Sequence, residues 1–125
     1  LAQTVSTFVG SGAATNLDGT GLSATIFGPL GSTVEPSTGD LLVTSAGSDH
    51  KLRRINTQTA VVTTFSGGSG SGYSDGSAFS ALFDNPTGVA VTPWHGGLTT
   101  GEALVSDKGN TRLRAVASDG TASTL

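Results

Sequence analysis

Apolar and polar residues alternate along short runs of this chain, and glycine, proline, asparagine or aspartate punctuates every junction. Gly88-Val89-Ala90-Val91-Thr92 follows a proline, and Gly31 to Glu35 is its weaker counterpart. Leu41 to Ser45 matches Ala103 to Ser106, Lys51 to Ile55 matches Arg112 to Val116, and Val61 to Phe65 matches Ala122 to Leu125. In the run from Arg112, Arg112 and Arg114 share one face while Leu113 and Ala115 share the other. Period-two runs of this length between turn residues predict β-strands. Val5 to Phe8, near the start, has the pattern of the fourth run and is expected to be an extra outer strand. The stretches Ala24-Thr25-Ile26 and Ala81-Leu82-Phe83 are expected to form short helical turns.

The runs recur because the chain repeats itself. Residues 5–36 align with residues 62–93 at a constant offset of 57, with Asp18-Gly19 on Asp75-Gly76 and Pro29 on Pro86. DHKLRRI from Asp49 then aligns with NTRLRAV from Asn110 at an offset of 61. The four additional residues fall in the loop PWHGGLTTGE, residues 93–102. A repeat with preserved strands and loop insertions is a unit that stacks on copies of itself, and roughly three such units are usually needed for stability. Four antiparallel strands per unit describe a propeller blade. The fold class expected is therefore all-β, two four-stranded antiparallel blades plus an extra N-terminal strand. Residues 1–8 would be that strand, 9–65 the first blade and 66–125 the second.

Composition agrees with short strands. Gly accounts for 19 of 125 residues, hydrophobic residues for 35 % and charged residues for 12 %, whereas long helices would carry more Glu, Lys and Leu. A net charge of −3 gives no general attraction to nucleic acid or to anionic membranes, and no apolar run reaches the 18 or more residues of a membrane-spanning helix. Cysteine is absent, which excludes disulfides and thiolate metal sites. The chain starts Leu1-Ala2-Gln3 and contains no methionine, so a processed product or a segment of a longer chain is expected. The hydroxyl-rich surface suggests an extracellular or secreted setting.

Several pieces together resemble a known family. They are the Tyr73-x-Asp75-Gly76 turn, Phe83-x-Asn85-Pro86-x-Gly88-Val89-Ala90-Val91, and Asn110-x-Arg112-Leu113-Arg114. The chain is similar to the NHL-repeat β-propellers over nearly all of its length, more closely in residues 62–116 than in 5–55. In the first unit Gly28 replaces the motif's Asn, Ser32-Thr33 replaces Val-Ala, and Ala46 stands opposite Asp107. The resemblance implies propellers that commonly close with six blades, so two blades per chain would reach six as a trimer. Some members bind RNA on a basic face, and others are metal-dependent amidating lyases.

Neither activity finds its residues here. Lyase chemistry of that type needs several His ligands, and the chain has only His50 and His95, in non-equivalent loops and expected to be exposed. No G-x-S-x-G elbow is present. Ser66 to Gly72 lacks the Gly-Lys-Ser/Thr ending of a P-loop and reads as an inter-blade connection. Asp18-Gly19 and Asp75-Gly76 could offer carboxylates to a cation, but they read better as turn residues. Lys51, Arg53, Arg54, Arg112 and Arg114 could form a phosphate-binding face, or could pair with local acids such as Asp107 across the strands; the second reading is preferred. Trp94 lies in the inserted loop, suited to a partner or carbohydrate contact or to covering its own blade edge.

The expected function is thus a non-enzymatic structural and interaction module with no cofactor. Assembly with copies of itself, as a homo-oligomeric ring or a filament, would use Val5, Ser6, Thr7 and Phe8 together with Ala122, Ser123, Thr124 and Leu125 as exchanged or closing strands. The alternative is a fragment of a larger ligand-binding or amidating-lyase-like propeller.

Overall fold

The computed structural model describes residues 3–92 and 101–125. Strands β1 (Gly19–Thr20), β2 (Pro29–Val34), β3 (Leu41–Ser45), β4 (Lys51–Ile55) and β5 (Val61–Ser66) form one antiparallel sheet in the order β1-β5-β4-β3-β2. Strands β6 (Pro86–Val91), β7 (Ala103–Asp107), β8 (Arg112–Val116) and β9 (Ala122–Thr124) form the second, in chain order. Each sheet contains the four antiparallel strands expected of a blade, β2 to β5 in the first and β6 to β9 in the second. The fifth strand of the first sheet is the short β1, which lays the Asp18-Gly19 turn against β5 through Gly19↔Val62 and Thr20↔Val61. Its counterpart in the second blade is a single bridge, Gly76↔Ala122.

Within the single chain, residues 3–8 join no strand. The helical turn also lies slightly earlier than expected, at Gly21–Ser23, where the Ser23 hydroxyl accepts the Thr20 N–H and donates to the Thr20 carbonyl. Ala24 to Ile26 and Ala81 to Phe83 are extended connections whose apolar side chains turn into the blades.

The repeat seen in the sequence is repeated in hydrogen bonds. Gly10 N–H donates to the Gly21 carbonyl as Gly67 N–H does to Ala78, and Ser11 to Ala24 as Gly68 to Ala81. Each innermost strand opens with a proline and a register shift, between Pro29 and Ser32 in β2 and between Pro86 and Gly88 in β6. Proline suits such a position because it has no N–H to leave unpaired at an irregular ladder step.

The blades pack face to face. Leu42, Leu52 and Phe65 of the first meet Ala103, Val105, Val116 and Ala122 of the second, with Ala81 and Phe83 of the connection wedged between them. Phe83 is fully buried. Burial of one such side chain contributes about 1.5–3 kcal/mol, so this shared core is what joins the two units. A smaller cluster of Ala24, Val43, Ile55 and Val62 lies on the opposite face of the first blade, with Val9, Ile26 and Leu41 packed against it.

Candidate interaction surface

The basic residues serve the scaffold. Arg114 of β8 is fully buried, and its guanidinium donates to the carboxylates of Asp107 (2.8 Å) and Asp75 (2.7 Å) and to the carbonyls of Leu82 (2.9 Å) and Ser74 (2.8 Å). It also lies 4.9 Å from the Phe83 ring centre and 5.1 Å from that of Tyr73. Arg53 repeats this in the first blade, bonding Asp49 (3.1 Å), Asp18 (2.7 Å) and the Thr25 carbonyl. Each arginine thereby ties the preceding connection and its Asp-Gly turn to the third strand. Arg54 pairs with Glu35 at 2.7 Å and stacks on Phe65, and Arg112 stacks on Tyr73. The buried guanidinium groups of Arg53 and Arg114 need close partners, and their terminal nitrogens have them, whereas both Nε atoms are buried without one among the described residues.

The two stitches differ in a way the alignment obscures. Ladder pairing places Ser45, not Ala46, opposite the Asp107 position, since Ser45 pairs with Lys51 as Asp107 pairs with Arg112. Asp107 does two jobs: one oxygen accepts the Asp84 N–H and the other the Arg114 guanidinium. In the first blade these are divided. Ser45 holds the loop through the Phe27 carbonyl (2.7 Å), while Asp49 takes the arginine. Asp49 stands where the second blade has Asn110, whose amide donates to Asp107 at 2.8 Å.

Asp18 and Asp75 are therefore anchors for arginine, and the Asp75 carboxyl shows it. Desolvation acts to raise its pKa, but hydrogen bonds from Thr124 and Arg114 outweigh that and hold it below the usual value. No group of three or more His, Asp or Glu side chains suited to a metal occurs among the described residues. His50, expected in solvent, is mostly buried between the blades, where its Nδ1 accepts the Asn85 N–H at 3.0 Å. His95 and Trp94 lie outside the described residues.

What remains open are the two outer faces of the blade pair. On the second blade Leu104 is partly buried, and Leu113 and Leu125 are 54 % and 58 % exposed. Ladder positions make these the counterparts of Leu42, Leu52 and Phe65, which are at most 8 % exposed because the second blade covers them. On the first blade, Leu41, Val43 and Ile55 line an open depression of about 870 Å³ with Leu30 and Ile26 at its edges. They are the counterparts of Ala103, Val105 and Val116, which pack on the first blade. One end of the molecule thus repeats one side of its internal interface, and the other end repeats the other side.

The expected strand-exchange residues lie beside these faces. Val5 is fully exposed and Phe8 about half exposed, while Thr7 reaches the rim of the depression. Ala122 is buried and Ser123 exposed; the Thr124 hydroxyl bonds Asp75 and Tyr73, and Leu125 N–H donates to the Leu113 carbonyl. The paired end faces were not singled out from the sequence. The signal was available in the ladder equivalence of Leu42 with Leu104 and Leu52 with Leu113, but strand patterning alone does not say which copy is covered.

No family model matches the chain, and no curated protein matches it. Solved structures do. A Bacteroides thetaiotaomicron protein of unknown function superposes with a TM-score of 0.74 at 22% identity, over 86% of this chain and 26% of that one. An auxiliary nutrient binding protein from the same organism gives 0.72 at 25% identity, over 86% and 27%. A putative phosphatase from that organism gives 0.58 at 23% identity, over 74% and 21%. The shared feature is the repeated all-β fold. This chain spans about a quarter of the length of the first two and about a fifth of the third.

Proposed function

We propose that this protein is a non-enzymatic interaction module of two NHL-like blades that assembles head to tail with copies of itself. The observation carrying this reading is the contrast between buried Leu52 and exposed Leu113, the same position in two blades, one with a neighbour and one without. Exposed apolar faces of this kind are binding surfaces, and a head-to-tail contact between unlike ends yields a ring if its rotation closes and a filament if it does not. Val5 to Phe8 fits as the exchanged strand. The hydrogen bonds of Gly10 and Ser11 match those of Gly67 and Gly68, so residues 5–8 lead into the first blade as β5 leads into the second. In a neighbouring copy they would take the fourth-strand place beside β8, exchanging with the three-residue β9.

Deletion of residues 1–8, followed by light scattering, tests this. The intact chain is expected to form species larger than 12.3 kDa, and the deletion to lose them. Unchanged assembly size after the deletion would count against strand exchange. A second reading draws on the quarter-length overlap with larger solved structures: the same faces stack on further blades of a longer propeller. A stable monomer of the 125-residue chain favours that reading.

A further inference from the structure

The contact between the two blades inside the chain is close and depends on backbone. Gly31 of β2 lies against β6, where a Cβ would collide with the Thr87 carbonyl and sit 3.0 Å from Gly88 Cα. The Thr44 hydroxyl beside it accepts the Gly31 N–H at 2.8 Å and reaches the Thr87 carbonyl at 3.1 Å. Three elements make this contact: a glycine without a side chain, a hydroxyl on the second strand, and the carbonyl exposed by the register shift after the neighbour's proline.

All three are present again at the open ends. Gly88 is the repeat counterpart of Gly31, and among the described residues its Cβ position meets the Ser106 side chain, at 3.4 Å. Ser106 is the ladder counterpart of Thr44. Leu30, 63 % exposed at the rim of the depression, is the counterpart of Thr87 and occupies the same register shift. We infer that Gly88 and Ser106 of one copy form a docking site for the Leu30 carbonyl of the next, reproducing the Gly31–Thr44–Thr87 contact between molecules. This rests on the head-to-tail reading and specifies it: the Leu104-Leu113 face of one copy meets the Leu41-Val43-Ile55 face of the next. The occupant of the depression is therefore a second copy of this chain. Continuity with the interface already formed inside the molecule argues for that choice, since the same residue types are presented at the same ladder positions.

Gly88→Ala isolates the contact. Gly88 has no positive φ and its Cβ would have ordinary room within one chain, so circular dichroism and urea midpoint are expected to match the wild type. Association measured by sedimentation should weaken at least tenfold, because the added methyl meets a carbonyl in the docked copy as one at Gly31 would meet Thr87. Val34→Glu, at a site 55 % exposed on the opposite end face, blocks the other partner. Each variant alone should stay monomeric, whereas an equimolar mixture should form a two-chain species and stop there, since one intact end of each kind remains. Gly88→Ala assembling like the wild type would overturn the docking site while leaving strand-based assembly in place, and a mixture that stays monomeric would overturn the pairing of the two end faces. A wild type that stays monomeric at high concentration overturns both.

Discussion

Arg114→Met should be among the most damaging single substitutions outside the apolar core. Methionine keeps the unbranched apolar stem but removes four hydrogen bonds, to Asp107, Asp75, Leu82 and Ser74. The decisive term is the carboxylate left behind. Asp107 has no exposed side-chain surface, and without Arg114 its partners are the Asp84 N–H and the Asn110 amide. Removing one member of such a buried pair costs about 3–5 kcal/mol, a large part of the roughly 5–15 kcal/mol that holds a domain together. The Asp75 side of the network contributes less: that carboxylate is 43 % exposed, and pairs open to water are worth roughly 0–1 kcal/mol. Adding Asp107→Asn to Arg114→Met removes the uncompensated charge while keeping an oxygen for the Asp84 N–H. The double variant is therefore expected to recover about 2 kcal/mol or more of the loss. Urea unfolding followed by circular dichroism, extrapolated linearly to water, measures all three proteins at one concentration. A single variant within about 1 kcal/mol of wild type, or a double variant no better than the single, would refute this account of the network.

Two further outcomes follow from the geometry. Because the Asp75 pKa is lowered in the folded state, its contribution is present above the ordinary carboxylate pKa of about 4 and is lost as pH falls through the folded value; Asp75→Asn should therefore flatten acid unfolding below about pH 4, and an unchanged acid profile would contradict it. Gly31→Ala should destabilise the blade pair, by about 1–3 kcal/mol as overpacking does, with Gly88→Ala in the same chain near neutral; equal urea midpoints for the two would show that the internal contact yields.

The four strands of each blade and the pairing of arginine with local acid were legible in the sequence, although Val5 to Phe8 joins no strand among the described residues and β1 carried no such signal. Strand alternation and turn chemistry act over a few residues, and a repeat shows itself by its own offset. Arg114 and Asp107 are only seven positions apart, within the reach of such short-range signals. The second carboxylates were not legible, because Asp18 and Asp75 reach their arginines from 35 and 39 positions earlier through a loop with no periodic signal. The division of Asp107's work between Ser45 and Asp49 was hidden for a related reason. A carboxylate can approach a guanidinium from either side of a turn, so conserving the contact does not conserve the position.

Alternation by itself determined that each strand of this protein has two faces and which side chains share each one. It could not say that Leu52 would be buried and Leu113 exposed, since both occupy the same step of the same repeat. Only the stacking of one blade on the other decided that. Burial of a sheet face depends on what lies about 10 Å beyond it, and that neighbour is supplied by the tertiary structure or by another molecule.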